Sequence, residues 1–183
     1  RFTGENLSAK LWIGDYSSAK EFTELASASQ GIKRLAVLRA DVDNLGQAFV
    51  AGFEGKNTSL SRTTTFSRKL SEFFKFHINY ILQNPEFSFG KDAPQRRNAL
   101  IVYSGGDDVF LIGAWDDVIG FAIDLQNSLQ KYTQDTLTIS AGIGLYPEKY
   151  PVSAMAYETG ILEDLSKCAE GKNTVTLFEG EHS

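Results

Sequence analysis

Two apolar runs, Ala99 to Tyr103 and Val109 to Ile112, flank a Gly-Gly turn bearing two adjacent carboxylates, in the stretch Tyr103-Ser104-Gly105-Gly106-Asp107-Asp108-Val109-Phe110. No other stretch constrains the fold as tightly. Gly105 and Gly106 can take the positive φ values of a tight hairpin, and without a Cβ they let a bulky ligand approach the backbone. The two runs are therefore expected to pair as antiparallel neighbours, with Asp107 and Asp108 at their joined end. Adjacent anions repel unless a cation lies between them or water screens them. The string is thus either a solvated acidic hairpin or half of a metal site.

A second acidic strand end favours the metal site. Arg34-Leu35-Ala36-Val37-Leu38-Arg39-Ala40-Asp41-Val42-Asp43-Asn44-Leu45-Gly46 is an apolar run that ends in D-x-D and then a glycine. Strands buried on both faces read this way. Residues two apart share a strand face, so Asp41 and Asp43 can turn toward one ligand. Alternatively, Asp43 lies in the loop and caps the short helical turn expected from Asn44 to Phe49. An ionised carboxylate ending an apolar strand is costly to desolvate unless paired, hydrogen-bonded or coordinated.

Composition sets the remaining bounds. With 183 residues, 42% hydrophobic and 22% charged, the chain has the make-up of one globular domain with a sizeable core. The main domain is expected over residues 31–183, with 1–30 a linker or the edge of a preceding domain, and the whole is expected to be a piece of something larger. Eighteen basic against twenty-three acidic residues give a formal charge of -5, which argues against gripping nucleic acid by electrostatics alone. Cys168 is the single cysteine and is expected to be a buried small apolar residue. No apolar run nears the roughly 20 residues of a membrane helix, so no membrane partner and a cytoplasmic, reducing location are expected.

Hydrophobic spacing supplies the other elements. Lys10 to Ile13 reads as a short strand, Glu21 to Ser27 as a short helix, and Gly52 to Thr65 as a loop. Phe66, Leu70, Phe73, Phe74, Ile78, Ile81 and Leu82 form one stripe of an amphipathic helix. That stripe is core, and His77 on the same helix has no second histidine at metal-binding spacing. Asn84 to Arg97 reads as an exposed connection. Asp116 is placed to cap a helix carrying Val118, Phe121, Ala122, Leu125 and Leu129. Leu137 to Leu145 reads as a strand whose glycines keep a surface open for a ligand. Pro151 starts a last helix running to about Cys168, and Thr174 to Phe178 is a closing strand.

Strand, helices, hairpin, helix and strand is the order of an α+β, ferredoxin-like palm: an antiparallel sheet with the GGDD hairpin at its centre and helices on one face. The words A-D-V-D-N-L-G, I-V-Y-S-G-G-D-D with F-L-I-G-A-W-D-D behind it, and L-T-I-S-A-G-I-G resemble the nucleotidyl cyclase and polymerase palm superfamily. Within it they are similar to the large subunit of type III CRISPR effector complexes, particularly the Csm subtype, over Gly31 to Phe178. The diguanylate cyclase branch fits less well. Its GGDEF signature has glutamate where Asp108 stands, its first strand continues into Phe-Lys where this chain has Leu45-Gly46, and its inhibitory R-x-x-D finds Arg96 but then Ala99.

The resemblance implies synthesis of cyclic oligoadenylates from ATP when target RNA is bound. It also implies a second palm of the same subunit sharing the nucleotide, so that one palm supplies half a site, and neighbouring subunits with guide RNA. Many members carry an N-terminal HD nuclease; neither His77 nor His182 is followed by aspartate, so no DNA-cutting activity is expected here. In nucleotidyl transfer a pair of divalent ions held by carboxylates serves both the attacking 3′-hydroxyl and the triphosphate. Asp41 and Asp107 are the first candidate ligands, Asp108 a second ligand or base, and the Val42 carbonyl completes one shell as in related cyclases. All-oxygen ligands suit Mg2+ or Mn2+. Asn44, Leu45 and Gly46 offer backbone N–H groups at a helix start, and Gly105 and Gly106 admit close approach. Ser104 is placed to contact adenine or is an ordinary turn serine. Leu165 to Asn173 resembles the cyclase element A-K-x-x-G-[RK]-N, making Lys172, and less directly Lys167, phosphate ligands; both also suit a helix end without any ligand. The alternatives are a scaffold palm that binds nucleotide or metal without catalysis, and a diguanylate-cyclase-like enzyme.

Overall fold

The computed structural model describes residues 15–19, 21–51, 60–90 and 94–178. The short strand expected at Lys10 to Ile13 lies outside the described residues. The elements are α1 (Phe22–Ala28), β1 (Leu35–Val42), α2 (Leu45–Ala51), α3 (Leu60–Glu72), a π-helical turn (Phe73–His77), α4 (Ile78–Gln83), β2 (Ala99–Gly105), β3 (Asp108–Ala114), α5 (Trp115–Thr133), β4 (Ile139–Tyr146), α6 (Val152–Cys168) and β5 (Val175–Leu177). This is the α+β palm expected from the element order. The loop expected over 52–65 does not hold at its end, where residues from Leu60 onward already belong to α3.

The strands form one sheet in the order β2-β3-β1-β4-β5. β1 pairs antiparallel with both β3 and β4, β2 pairs antiparallel with β3, and only β4 and β5 run parallel. β1 takes the centre because Leu35 to Leu38 are apolar without interruption and bury both faces. Ala36, Leu38, Ala40 and Val42 face a core with Phe73, Phe74, Ile78, Phe121 and Leu125. Leu35 and Val37 alternate to the other side, where Leu25 of α1 and Met155 of α6 cover them. The π turn, α4 and α5 thus cover one face while α1 and α6 cover the other, so the helices are not confined to the single face the element order suggests.

α6 lies unusually close to the sheet. A Cβ added at Gly142 of β4 would meet the Glu163 nitrogen at 2.3 Å and the Thr159 carbonyl oxygen at 2.7 Å. At Gly144 it would meet the Tyr146 hydroxyl at 2.4 Å. The β4 glycines therefore make room for a helix and a ring, not for a ligand as the sequence suggested.

The stripe from Phe66 to Leu82 forms one long helical passage, interrupted where the π turn widens it. Within that turn the Phe74 carbonyl accepts a 2.5 Å hydrogen bond from the Ser104 hydroxyl of β2. Gly106, at φ +71°, is the first residue of the hairpin turn, and Asp107 is the second. Gly105 pairs with Asp108 and ends β2.

Three expectations are corrected by burial. The 84–97 connection is not simply exposed: Arg97 is 2% exposed, 2.7 Å from Asp124 and 3.4 Å from Asp117, and donates to the Phe87 carbonyl. Asp124 also accepts the Glu86 and Phe87 amides, which pins the segment to α5. Asp116 does not cap α5, whose N-cap is Ala114; it sits in the first turn and accepts the Gln30 amide. Cys168, at the end of α6, is exposed, because the buried side of that turn is taken by Ser166.

Removing one partner of a buried ion pair strands the other charges. Arg97→Ala is therefore expected to destabilise the fold by about 3–5 kcal/mol. Urea denaturation checks this as a lowered midpoint at unchanged slope.

Candidate active site

The register carries the acids to one end of the sheet. Asp41 stands opposite Asp108 on β3 and opposite Ser140 on β4. The Val42 amide donates to the Asp107 carbonyl at 3.1 Å, which ties the hairpin turn to the end of β1. Burial pushes the Asp107 carboxyl above the usual carboxylate range, and the Asp41 charge pushes it further. Asp108 is raised by burial, then by Asp107 and Asp41. In both groups burial is the larger cause, and the neighbouring carboxylates add to it.

Lys167 meets this cluster from α6. Its Nζ lies 2.7 Å from Asp41 Oδ2 and 2.7 Å from Glu163 Oε1. Burial would lower its pKa, but the hydrogen bonds to Asp41 and Glu163 outweigh that and hold it above the ordinary lysine value. Arg39, on the same face of β1 as Asp41, reaches Glu163 Oε2 at 3.1 Å. Arg39, Glu163, Lys167 and Asp41 therefore alternate in sign along the seam between β1 and α6. Glu163 and Arg39 escaped the sequence reading. The Glu163–Lys167 spacing of one helical turn and the two-residue step from Arg39 to Asp41 were the available signals.

The other candidates divide between two places. Lys172 Nζ donates to Asn44 Oδ1 at 2.8 Å, so the loop after α6 touches the start of α2, which begins at Leu45 and Gly46. Asn44 holds φ +53°, and Lys172 and Asn173 hold +53° and +55°. Asp43 does not cap α2: it is 4% exposed, and its Oδ2 accepts the Thr138 hydroxyl and the Asn173 amide. Ser104 is 1% exposed and spends its proton on the Phe74 carbonyl, which makes it a clasp between β2 and the π turn. That placement corrects the expectation of an adenine contact, since the hydroxyl is turned into the core.

The donor set fits a hard cation. Asp41, Asp107, Asp108 and the Val42 carbonyl are all oxygen, and the lysine ammonium already on Asp41 shows that a positive charge is accommodated there. Among the described residues no three His, Cys, Asp or Glu side chains form a complete protein-only metal cluster. Mg2+ is commonly held by one or two carboxylates with substrate phosphates supplying further oxygens, which is the arrangement these residues suit.

A mostly antiparallel sheet with β1 at its centre, the acidic hairpin at one side of it and not in the middle as the element order suggested, and helices packed on it is a palm fold. The chain belongs to the Cas10/Cmr2 second palm domain family, whose model matches residues 34–176. It is 53% identical, over 98% of its length, to the Cas10/Csm1 protein of subtype III-A from Mycobacterium tuberculosis, named a CRISPR system single-strand-specific deoxyribonuclease, and covers 23% of it. The Cas10/Csm1 protein from Enterococcus italicus is 45% identical over 97% of the chain, again 23% of the relative. The chain thus spans about a quarter of the curated relatives it matches. Among solved structures it is similar to Csm1 from T. onnurineus, with TM-score 0.79 and 32% identity, over 90% of this chain and 25% of that one. The Csm1–Csm4 cassette in complex with cA4 matches at TM-score 0.81 and 31% identity, over 92% of this chain and 25% of that chain. A further cassette structure, with AMPPNP, matches at TM-score 0.80 and 33% identity, over 90% and 24%. Among the described residues no helix is long and apolar enough to cross a membrane.

The crowded acids carry a pH signature. A carboxyl whose folded pKa is raised binds its proton more tightly folded than unfolded, so its stabilising contribution is present at acid pH and lost as pH rises through the folded value. The double change Asp107→Asn with Asp108→Asn is expected to raise the metal-free melting temperature at pH 7 by about 1–3 °C, the scale left after solvent screening. The gain should vanish below the carboxylate range. Calorimetric melts across pH, in chelator, check both the size and the loss.

Proposed function

We propose that this chain is the catalytic palm of a cyclic oligoadenylate synthetase, joining ATP through 3′–5′ phosphodiester bonds within a type III CRISPR RNA-guided antiviral complex. The observation that carries this reading is the meeting of Asp41, Asp107 and Asp108 at one sheet end with Lys167 on Asp41. A palm kept for architecture alone gains nothing from three crowded acids whose repulsion costs stability. Its similarity to Csm1–Csm4 cassettes in complex with AMPPNP and with cA4 supports the same substrate and product class.

Asp41, Asp107 and the Val42 carbonyl would hold the divalent ions, Mg2+ or Mn2+, with Asp108 as a further ligand or the group that takes the 3′-hydroxyl proton. The ions supply charge neutralisation of the triphosphate and a more acidic 3′-hydroxyl. The chain's own residues orient the reactants around them. Gly105 and Gly106 leave the backbone open at the turn, and Lys172 reaches Asn44, the residue before Leu45 and Gly46 begin α2. Lys167, held by Glu163, stands where a phosphate oxygen can replace Asp41 as its partner. A second palm supplies the other half of the site, so this piece alone binds nucleotide better than it turns it over. Neighbouring subunits, guide RNA and target RNA belong to the same reading.

In the assembled complex, Asp107→Ala with Asp108→Ala is expected to abolish cyclic product while leaving assembly and melting nearly intact. Chromatography of products from labelled ATP, beside a melting curve, checks both; retained product overturns the catalytic assignment. ATP is expected to displace a labelled ATP analogue at lower concentration than GTP. Displacement by GTP at an equal or lower concentration would instead favour a diguanylate-cyclase-like site.

A further inference from the structure

Asp43 has no role in the reading above, yet it is among the most deliberately placed side chains near the site. It is 4% exposed. Its backbone amide donates to the Thr138 carbonyl at 2.9 Å, and its Oδ2 accepts both the Thr138 hydroxyl at 2.8 Å and the Asn173 amide at 3.0 Å. Its Oδ1 is buried with no protein partner. A buried carboxylate is costly to maintain, and an arrangement that retains one must draw something from it. Two strand-end loops with no ladder bonds to each other meet at this group: the turn after β1 and the loop between α6 and β5.

The second loop cannot hold its shape by propensity. Lys172 and Asn173 are both left-handed, a conformation that L residues with side chains enter at a cost and keep only where surroundings fix it. The Asp43 carboxylate on the Asn173 amide is one such constraint, and a charged acceptor makes it a strong one. Gln126 of α5 holds the Asn173 side chain at 3.0 Å. Lys172, immediately before the clamped amide, points its Nζ to Asn44 Oδ1 across the same gap.

We infer that Asp43 is a positioning residue: its buried carboxylate fixes the left-handed 172–173 segment so that the Lys172 ammonium is presented to the nucleotide's phosphates beside the acidic sheet end. The inference rests on the nucleotide-binding reading of the site but not on any product. Asn at position 43 keeps one oxygen able to accept both hydrogen bonds and loses the charge; Ala loses the clamp.

The test uses the full-length protein in its effector complex with AMPPNP and Mn2+ as the probe. Asp43→Ala is expected to weaken AMPPNP roughly tenfold, the scale of one hydrogen bond to a charged group no longer held in place. Asp43→Asn should recover most of that loss. Lys172→Ala should weaken binding similarly, and the double variant Asp43→Ala with Lys172→Ala should bind no worse than Lys172→Ala alone, because a group that acts only through Lys172 has nothing left to position. Hydrogen exchange should show faster exchange at the Asn173 amide in Asp43→Ala with β1 and β4 unchanged. The inference is overturned if the two losses add in full, if Lys172→Ala leaves affinity unchanged, or if Asn173 exchange is unaltered. Should Asp43→Ala fail to fold, Thr138→Val, which removes one bond to Oδ2, carries the same exchange and affinity tests. A complex that makes no oligoadenylate but shows this affinity pattern would defeat the synthetase reading and leave the role of Asp43 standing.

Discussion

Repulsion among the carboxylates at the end of β1 and the β2–β3 hairpin is the constraint around which the nearby structure is arranged. Asp41 and Asp108 are cross-strand partners, and Asp107 joins them through the turn. Like charges directly opposite on a sheet destabilise it. The sheet tolerates them because apolar burial elsewhere on β1 is complete: Leu35, Ala36, Val37 and Leu38 are each 0% exposed. The seam with α6 returns a cation to the acids, since Lys167 is held by Glu163, which is held in turn by Arg39. The same fold thus isolates its stabilising contacts from the charges it must tolerate.

A second ionic network, around Arg97, shows the contrast between a structural and a functional cluster. There the charges are opposite, buried and hydrogen-bonded to backbone amides. Of the Arg97, Asp117 and Asp124 side-chain atoms, the guanidinium Nε is buried without a partner. At the sheet end the excess is anionic and partly open to solvent, so it invites a cation. Both clusters carry more carboxylates than cations, so exposure and the partners already held, more than the number of charges, separate the two.

Much of this was legible in the residues. The Gly-Gly turn fixed β2 beside β3, and the uninterrupted apolar run from Leu35 made β1 a central strand; together these brought Asp41 to the hairpin. The α6 start at Pro151 and its end near Cys168 followed from ordinary helix signals. What was hidden depends on tertiary contacts. Arg97 sits in a Pro- and Gly-punctuated stretch that reads as solvent-facing, and only the approach of Asp117 and Asp124 on α5 explains its burial. Ser104 reads as a turn residue, and nothing local announces the widened helical turn whose carbonyl it satisfies. Asp43 reads as a helix cap because its partners, Thr138 and Asn173, lie 95 and 130 residues away.

The glycine at position 142 sets a mechanical tolerance. Where Glu163 passes over it there is no room for a single methyl group. Lys167 lies four residues further along α6, about 6 Å at the rise of a helix. The helix therefore rests on Gly142 as a beam rests on a fulcrum, and the line from which the Lys167 side chain reaches Asp41 is set by backbone against backbone. A spacer of one carbon at that fulcrum would lift the beam, lengthen the 2.7 Å contact to Asp41 and detune the local charge without altering any charged residue.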